Sequence, residues 1–202
     1  DAVVDAVVDA VFDAVVDAVV DAVFDAVVVD AVVDAVEDAV EDVVDTVVDQ
    51  LEKDPRRHFI YVETGFFARW WDEQPDDRRN VTKALVASGQ LEFINGAWCM
   101  HDEASPFYVE MVDQTTRGHQ FLRKNFGETA IPRGTWQIDP FGHSNTQAWL
   151  LGAEAGMESL FWGRTDYQDF ALRKNQSRLE WVWQGSQSLG DTAQLFAGAL
   201  YG

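Results

Sequence analysis

The 202-residue sequence predicts an α/β fold: a largely parallel sheet with flanking helices, partial and barrel-like in the (β/α) sense, preceded by a low-complexity acidic repeat. Three observations predict it. From Val43 onward, short apolar runs of strand length alternate with helix-length amphipathic stretches, which is the signature of βαβ units. Glycine or proline stands where each helix should stop, at Pro55, Gly89, Gly127 and Gly156. Polar residues follow directly after apolar runs, at Glu63, Asp102, Glu103, Asp139 and Arg164. Those are the strand tips where parallel sheets gather their chemistry.

Residues 1–12 and 13–24 are identical, three units of Asp-Ala-Val-Val or Asp-Ala-Val-Phe, and the four-residue unit drifts on to about Asp42. Four residues turn 400° on a helix, so the Asp row creeps around the cylinder, and Asp pairs at i,i+4 repel. Residues 1–42 are therefore expected as a weak helix or as disorder, with few contacts to the rest and no function of their own. Residues 43–202 form the globular part. Asp45–Lys53 ends an amphipathic helix on Val47, Val48 and Leu51. Phe59–Val62 is a short strand tipped by Glu63. The aromatic segment Phe66–Trp71 and the stretch Asp77–Ala87 read as helices. Leu91–Ile94 is a strand, Asn95-Gly96 a turn, and Ala97–Met100 a continuation to the polar tip His101-Asp102-Glu103. Ser105-Pro106 opens a long helix with Pro at its first position, ending near Gly127. Thr135–Ile138 is the strand before Asp139, and a helix runs from Asn145 to Ala155. Leu160–Trp162 and Leu179–Trp183 are further strand-like runs, and the signal fades after Gly185.

The formal charge of −20 is lopsided. Residues 1–50 hold 15 acids and no Lys or Arg, leaving 20 acids against all 15 bases in the remainder. Such acidity argues against nucleic-acid or anionic-membrane partners. No apolar run is long enough for a membrane span. Cys99 is alone, so no disulfide forms within the chain. No signal peptide is visible, and the sequons at Asn80 and Asn175 weakly favour a secretory route.

The stretch Gly134-Thr-Trp-Gln-Ile-Asp-Pro-Phe-Gly-His-Ser144 concentrates the signals. A short strand ends in a carboxylate, and Pro140 closes the ladder because it has no N–H to donate. Ser144 reads as a helix N-cap, with Gln147 three residues on completing a capping box. Asp139 thus stands between a strand and a loop feeding a helix. It is either a loop cap or a working carboxylate.

Trp136-Gln-Ile-Asp-Pro-Phe-Gly-His-Ser144 resembles the nucleophile motif of the family 38 glycoside hydrolases, the retaining α-mannosidases. Phe59-Ile-Tyr-Val-Glu63, Phe66-Phe-Ala-Arg-Trp-Trp71, Leu91-Glu-Phe93, Gly96-Ala-Trp-Cys-Met100, Asp102-Glu-Ala104, Val112-Asp-Gln114 and Phe161-Trp-Gly-Arg-Thr-Asp-Tyr-Gln-Asp169 agree in order. The likeness is greater to the lysosomal-type branch than to the Golgi branch. It covers residues 43–202, a piece of the family's N-terminal catalytic domain.

The resemblance implies that Asp139 is the nucleophile and also a ligand of Zn²⁺, and that Phe141 and Arg164 contact the sugar. Glu63, Asp102 and Glu103 are expected to support the site through hydrogen bonds or to cap their loops. The implied substrate is a mannose-containing oligosaccharide or glycoprotein glycan, and the implied compartment is lysosomal, vacuolar or otherwise secretory. The family's His-x-Asp ligand pair does not occur here. His58, His101, His119 and His143 lie elsewhere in the pattern, and the family draws its acid from further downstream. The chain is therefore expected to be an incomplete and inactive piece of an α-mannosidase; the alternative is a non-catalytic globular remnant with an acidic interaction tail.

Overall fold

The computed structural model describes residues 28–200. Most of the acidic repeat, and with it most of the expectation about residues 1–42, lies outside the described residues. From Val28 the repeat is helical, and α1 (Val28–Lys53) runs past residue 42 without a break. The spacing of the acids gives the reason its second half packs against the rest of its unit. At Asp38, Asp42, Asp45 and Asp49 the strict four-residue spacing gives way to steps of four, three and four. Steps averaging about 3.7 residues, close to the 3.6 of a helical turn, hold the acids on one stripe instead of letting them creep. The opposite stripe, Val44, Val47, Val48 and Leu51, is then free to be buried.

The described chain divides into two compact units. The first comprises residues 28–59 and 66–91. It holds α1, most of α2 (Thr64–Glu73) and α3 (Asp76–Ala87). Its core sets the α1 stripe with Phe67, Trp70, Trp71, Leu85 and Leu91, all nearly inaccessible to solvent. The Phe67 and Trp70 rings lie 5.2 Å apart. Arg78 of α3 answers the acidic stripe. Its guanidinium donates to Asp49 Oδ1 at 2.6 Å and to the Asp45 carbonyl at 2.8 Å. Trp70 Nε1 donates to Asp45 Oδ1 at 3.1 Å. Gly89, at φ +76°, ends α3 as the sequence predicts.

Two short strands, β1 (Phe59–Tyr61) and β2 (Leu91–Phe93), pair in a two-stranded sheet. Phe59 N–H donates to the Gln90 carbonyl and Ile94 N–H to the Tyr61 carbonyl. The bonds advance along both strands in the same direction, so the pair is parallel.

The second unit comprises residues 60–65 and 92–200. Here α4 (Tyr108–Phe126), β3 (Gly134–Gln137), α5 (Asn145–Trp149), β4 (Ser159–Trp162), α6 (Tyr167–Asn175), β5 (Glu180–Gln184) and β6 (Gln194–Ala199) follow in turn. The sheet order is β3-β4-β6-β5. β3 and β6 run parallel to β4, with Trp136 opposite Phe161 and Phe161 opposite Gly198. β5 runs antiparallel to β6 because the connection between them, residues 185–193 with a 3-10 turn at Gly190–Ala193, is shorter than the dozen or so residues a parallel crossover needs. Ala148, Leu160, Trp162, Leu195, Ala197 and Ala199 form the core against the sheet, with Phe170, Trp181 and Trp183 packed on it. No described helix is long and apolar enough to cross a membrane.

The structure corrects several elements. Ala97–Met100 is not a strand, because its donors are used elsewhere. Trp98 N–H donates to the Gln114 carbonyl, Cys99 N–H to Gln114 Oε1 and Met100 N–H to Glu63 Oε1, each at 3.1–3.2 Å. The long helix starts at Tyr108 rather than at Pro106, since Asp102 Oδ1 takes the N–H groups of Ala104 and Ser105 into a turn first. After Trp149, α5 widens into a π-helical turn, Leu150–Glu154. Two elements were not anticipated: α6, capped by Asp166, and β6.

Candidate active site

The site is built at the C-terminal ends of β3 and β4. Because these strands are parallel, the residues that follow them emerge on one edge. Asp139 follows β3 by two residues and Arg164 follows β4 by two. Their side chains form an ion pair, Arg164 Nε to Asp139 Oδ1, with both half exposed. The Arg164 guanidinium also lies 5.1 Å from the centroid of the Phe141 ring. Phe141 is 68% exposed, so its ring is offered to solvent rather than to the core. A cation held against an aromatic face and a carboxylate is a surface that a sugar can contact with both its hydroxyls and its C–H face.

The two tips approach closely because Gly163 has no side chain. Gly163 N–H donates to the Gln137 carbonyl at 2.9 Å, and a Cβ at Gly163 would come within 2.6 Å of the Ile138 carbonyl oxygen. The loop after Asp139 is tied down twice more. His143 Nε2–H donates to the Arg164 carbonyl at 3.0 Å, which places the proton on Nε2. Ser144 N–H donates to Glu103 Oε1 at 2.9 Å.

The three carboxylates expected to support the site each accept different backbone N–H groups. Glu63 accepts from Met100 N–H, Asp102 shapes its own turn, and Glu103 reaches the Asp139 loop. Glu103 is half buried, and burial pushes its carboxyl above the usual range against the lowering effects of Ser144 N–H and His143. Behind the loop, Gln147 Nε2 donates to His101 Nδ1 at 2.7 Å, and His101 Nε2 meets Thr115 Oγ1 at 2.9 Å. The Thr115 hydroxyl is itself spent on the Met111 carbonyl, so His101 donates from Nε2. With one nitrogen accepting and one donating, His101 is neutral, and burial pushes its pKa down.

The sequence reading missed three residues that hold the site together: Gly163, His143 and Asn95. Asn95 was visible only as half of an Asn-Gly turn. In the structure it is 5% exposed, at φ 63°. Its amide donates from Nδ2 to the Trp136 carbonyl at 2.8 Å, and its Oδ1 accepts from Trp136 N–H. It therefore behaves as a piece of strand beside β3. An Asn preceding an apolar strand partner offers too weak a signal for this to be read from sequence.

Each of the four histidines commits a ring nitrogen to a structural bond: His58 to the Gly89 carbonyl, His101 as above, His119 to the Asn95 carbonyl and His143 to the Arg164 carbonyl. Among the described residues no group of three or more His, Cys, Asp or Glu could hold a metal ion. Asp139 is engaged by Arg164, and the described residues do not complete a zinc site around it.

Residues 27–202 match the family described as "Glycosyl hydrolases family 38 N-terminal domain". The chain belongs to glycoside hydrolase family 38. The match begins inside the last part of the acidic repeat. An α-mannosidase of Arabidopsis thaliana is 58% identical over 147 residues, which is 73% of this chain and 14% of that protein. A lysosomal α-mannosidase of Dictyostelium discoideum is 50% identical over 147 residues, with the same shares of 73% and 14%. The chain thus spans about one-seventh of the length of these relatives. The crystal structure of an α-mannosidase from Enterococcus faecalis V583 superposes with a TM-score of 0.61 at 19% identity, over 82% of this chain and 18% of that one. That likeness supports the α/β fold with its parallel sheets and flanking helices.

Proposed function

We propose that this chain is the nucleophile-bearing part of a retaining α-mannosidase. One observation carries the reading beyond family membership: Asp139, at the strand tip, is held by an Arg164 guanidinium that also lies against the exposed Phe141 ring. In this reading Arg164 and Phe141 hold the sugar, and the Asp139 carboxylate faces its anomeric carbon. The carboxylate attacks that carbon and forms a glycosyl ester. The glycosidic bond breaks, and its electron pair leaves with the oxygen, which takes a proton from an acid. Water then cleaves the ester and restores Asp139, so the configuration is retained. The acid must stand about 5–5.5 Å from the nucleophile. Glu63, Asp102 and Glu103 each already accept a backbone N–H, and none is assigned that role.

The family resemblance also implies Zn²⁺, which when bound would grip sugar hydroxyls; Asp139 is the residue here that it would use. The described residues do not complete such a site, and no step is assigned to the metal. The proposed substrate is a mannose-containing oligosaccharide or glycoprotein glycan, acted on in a lysosomal or vacuolar compartment. The repeat up to residue 42 has no part in the chemistry and is kept as a separate low-complexity segment. The test is a transplant. The stretch of this chain that matches the Arabidopsis relative replaces its counterpart there, and turnover of an aryl α-mannoside is compared with and without Asp139→Asn.

A further inference from the structure

The loop that carries Asp139 and Phe141 belongs to no strand or helix. Two of its tethers, the ion pair of Asp139 and the hydrogen bond from His143, end on the same residue, Arg164. A loop fixed at one residue can still swing about it. The third tether comes from elsewhere: Glu103 Oε1 accepts the N–H of Ser144 at 2.9 Å. Ser144 is the N-cap of α5, its hydroxyl accepting from Thr146 N–H at 3.1 Å. In a capping box the side chain at N3 would take the Ser144 N–H. Here N3 is Gln147, and its amide has turned away to His101. A carboxylate 41 residues earlier in the chain takes the place that Gln147 leaves.

Glu103 is itself well held. On its N-terminal side His101 is 6% exposed and bonded to both α4 and α5. On its other side Asp102 Oδ1 closes the turn over Ala104 and Ser105. Glu103 lines a small, partly open pocket with Gln137, His143, Ser144, Trp162 and Trp183, beside the ends of β3 and β4.

We propose that Glu103 is the positioning residue of the nucleophile loop: by accepting the Ser144 N–H in place of the N3 side chain, it fixes where Asp139 and Phe141 stand at the strand tips. This rests on the reading of Asp139 as nucleophile. The role needs an acceptor oxygen and not a charge, so Gln should substitute and Ala should not.

The experiment uses the 202-residue chain with Glu103→Ala and Glu103→Gln, read by amide hydrogen exchange and backbone NMR. In the Ala variant, exchange at Ser144 should quicken roughly tenfold or more. The Asp139, Phe141 and Gly142 amides should shift, while the β3–β4 ladder amides and the thermal midpoint stay close to those of the parent. The Gln variant should restore the parent loop spectrum. An Ala variant with an unchanged loop overturns the proposal. So does a Gln variant with a displaced loop, which also decides the matter if the Ala variant fails to fold. None of these readouts depends on turnover. Failure of the nucleophile reading would show separately, as activity that survives Asp139→Asn in the transplanted enzyme.

Discussion

Gln147 donates its side-chain amide to Nδ1 of His101 at 2.7 Å, joining the first turn of α5 to the polar stretch before α4. Both side chains are buried, and His101 passes the contact on to Thr115. A proton added at Nδ1 would have no acceptor unless Gln147 turned its amide around.

This arrangement predicts acid sensitivity. His101 lies below its ordinary value of 6.5, chiefly through burial, so the unfolded chain binds the proton more readily than the folded one. The stabilising effect of the neutral ring is present above pH 6.5 and is lost as pH falls through the folded-state value. Ring-nitrogen NMR should show His101 titrating below 6.5, with stability in urea declining as pH falls below that value. A His101 that titrates at or above 6.5 would refute this.

Gly163→Ala should destabilise the chain by about 1–3 kcal/mol, the usual cost of forcing extra volume into packed structure. The obstacle is the Ile138 carbonyl, which is backbone and cannot rotate aside. Urea unfolding measures the loss, and amide shifts at Ile138 and Asp139 should accompany it. An unchanged midpoint would mean that the strand tips are not in close contact.

Arg78→Met keeps the stem and removes the charge that faces Asp45, Asp49 and Glu52. The three acids are about half exposed, so the pairings are screened, and a loss of about 1 kcal/mol is expected. Added salt should narrow the difference, because the remaining carboxylates repel one another. A variant as stable as the parent at low salt would show that the acidic stripe needs no counter-charge.

The elements with strong period and stops were legible in the sequence. β3, β4, α3 and the placing of Asp139 and Arg164 at neighbouring strand tips followed from apolar runs closed by Gly or Pro. What escaped was decided by partners distant in sequence. Ala97–Met100 has the composition of a strand, yet Gln114 and Glu63 took its donors. Ser144 and Gln147 have capping-box spacing, yet His101 drew Gln147 away. β6 reads Gln-Leu-Phe-Ala-Gly-Ala, too rich in small residues for strand propensity alone, and is held by β4 and β5 on either side. Asp166 did signal α6, since its carboxylate caps Gln168 and Asp169, and that signal went unused.

Residues 1–202 by themselves, with excess Zn²⁺, should give no turnover of an aryl α-mannoside that depends on Asp139. A partner acid is worth roughly 10²–10⁴ in rate, and none is assigned among the described residues. Turnover abolished by Asp139→Asn would show that a carboxylate here, with Glu103 the first to examine, serves as the acid.

The most direct measurement is kinetic. The matching stretch is placed in the Arabidopsis α-mannosidase that is 58% identical to it, and kcat/KM for an aryl α-mannoside is compared between Asp139 and Asp139→Asn. The account predicts an active hybrid whose turnover falls by about 10³-fold or more when the nucleophile is removed. A folded hybrid without turnover, or one whose turnover survives Asp139→Asn, would contradict it.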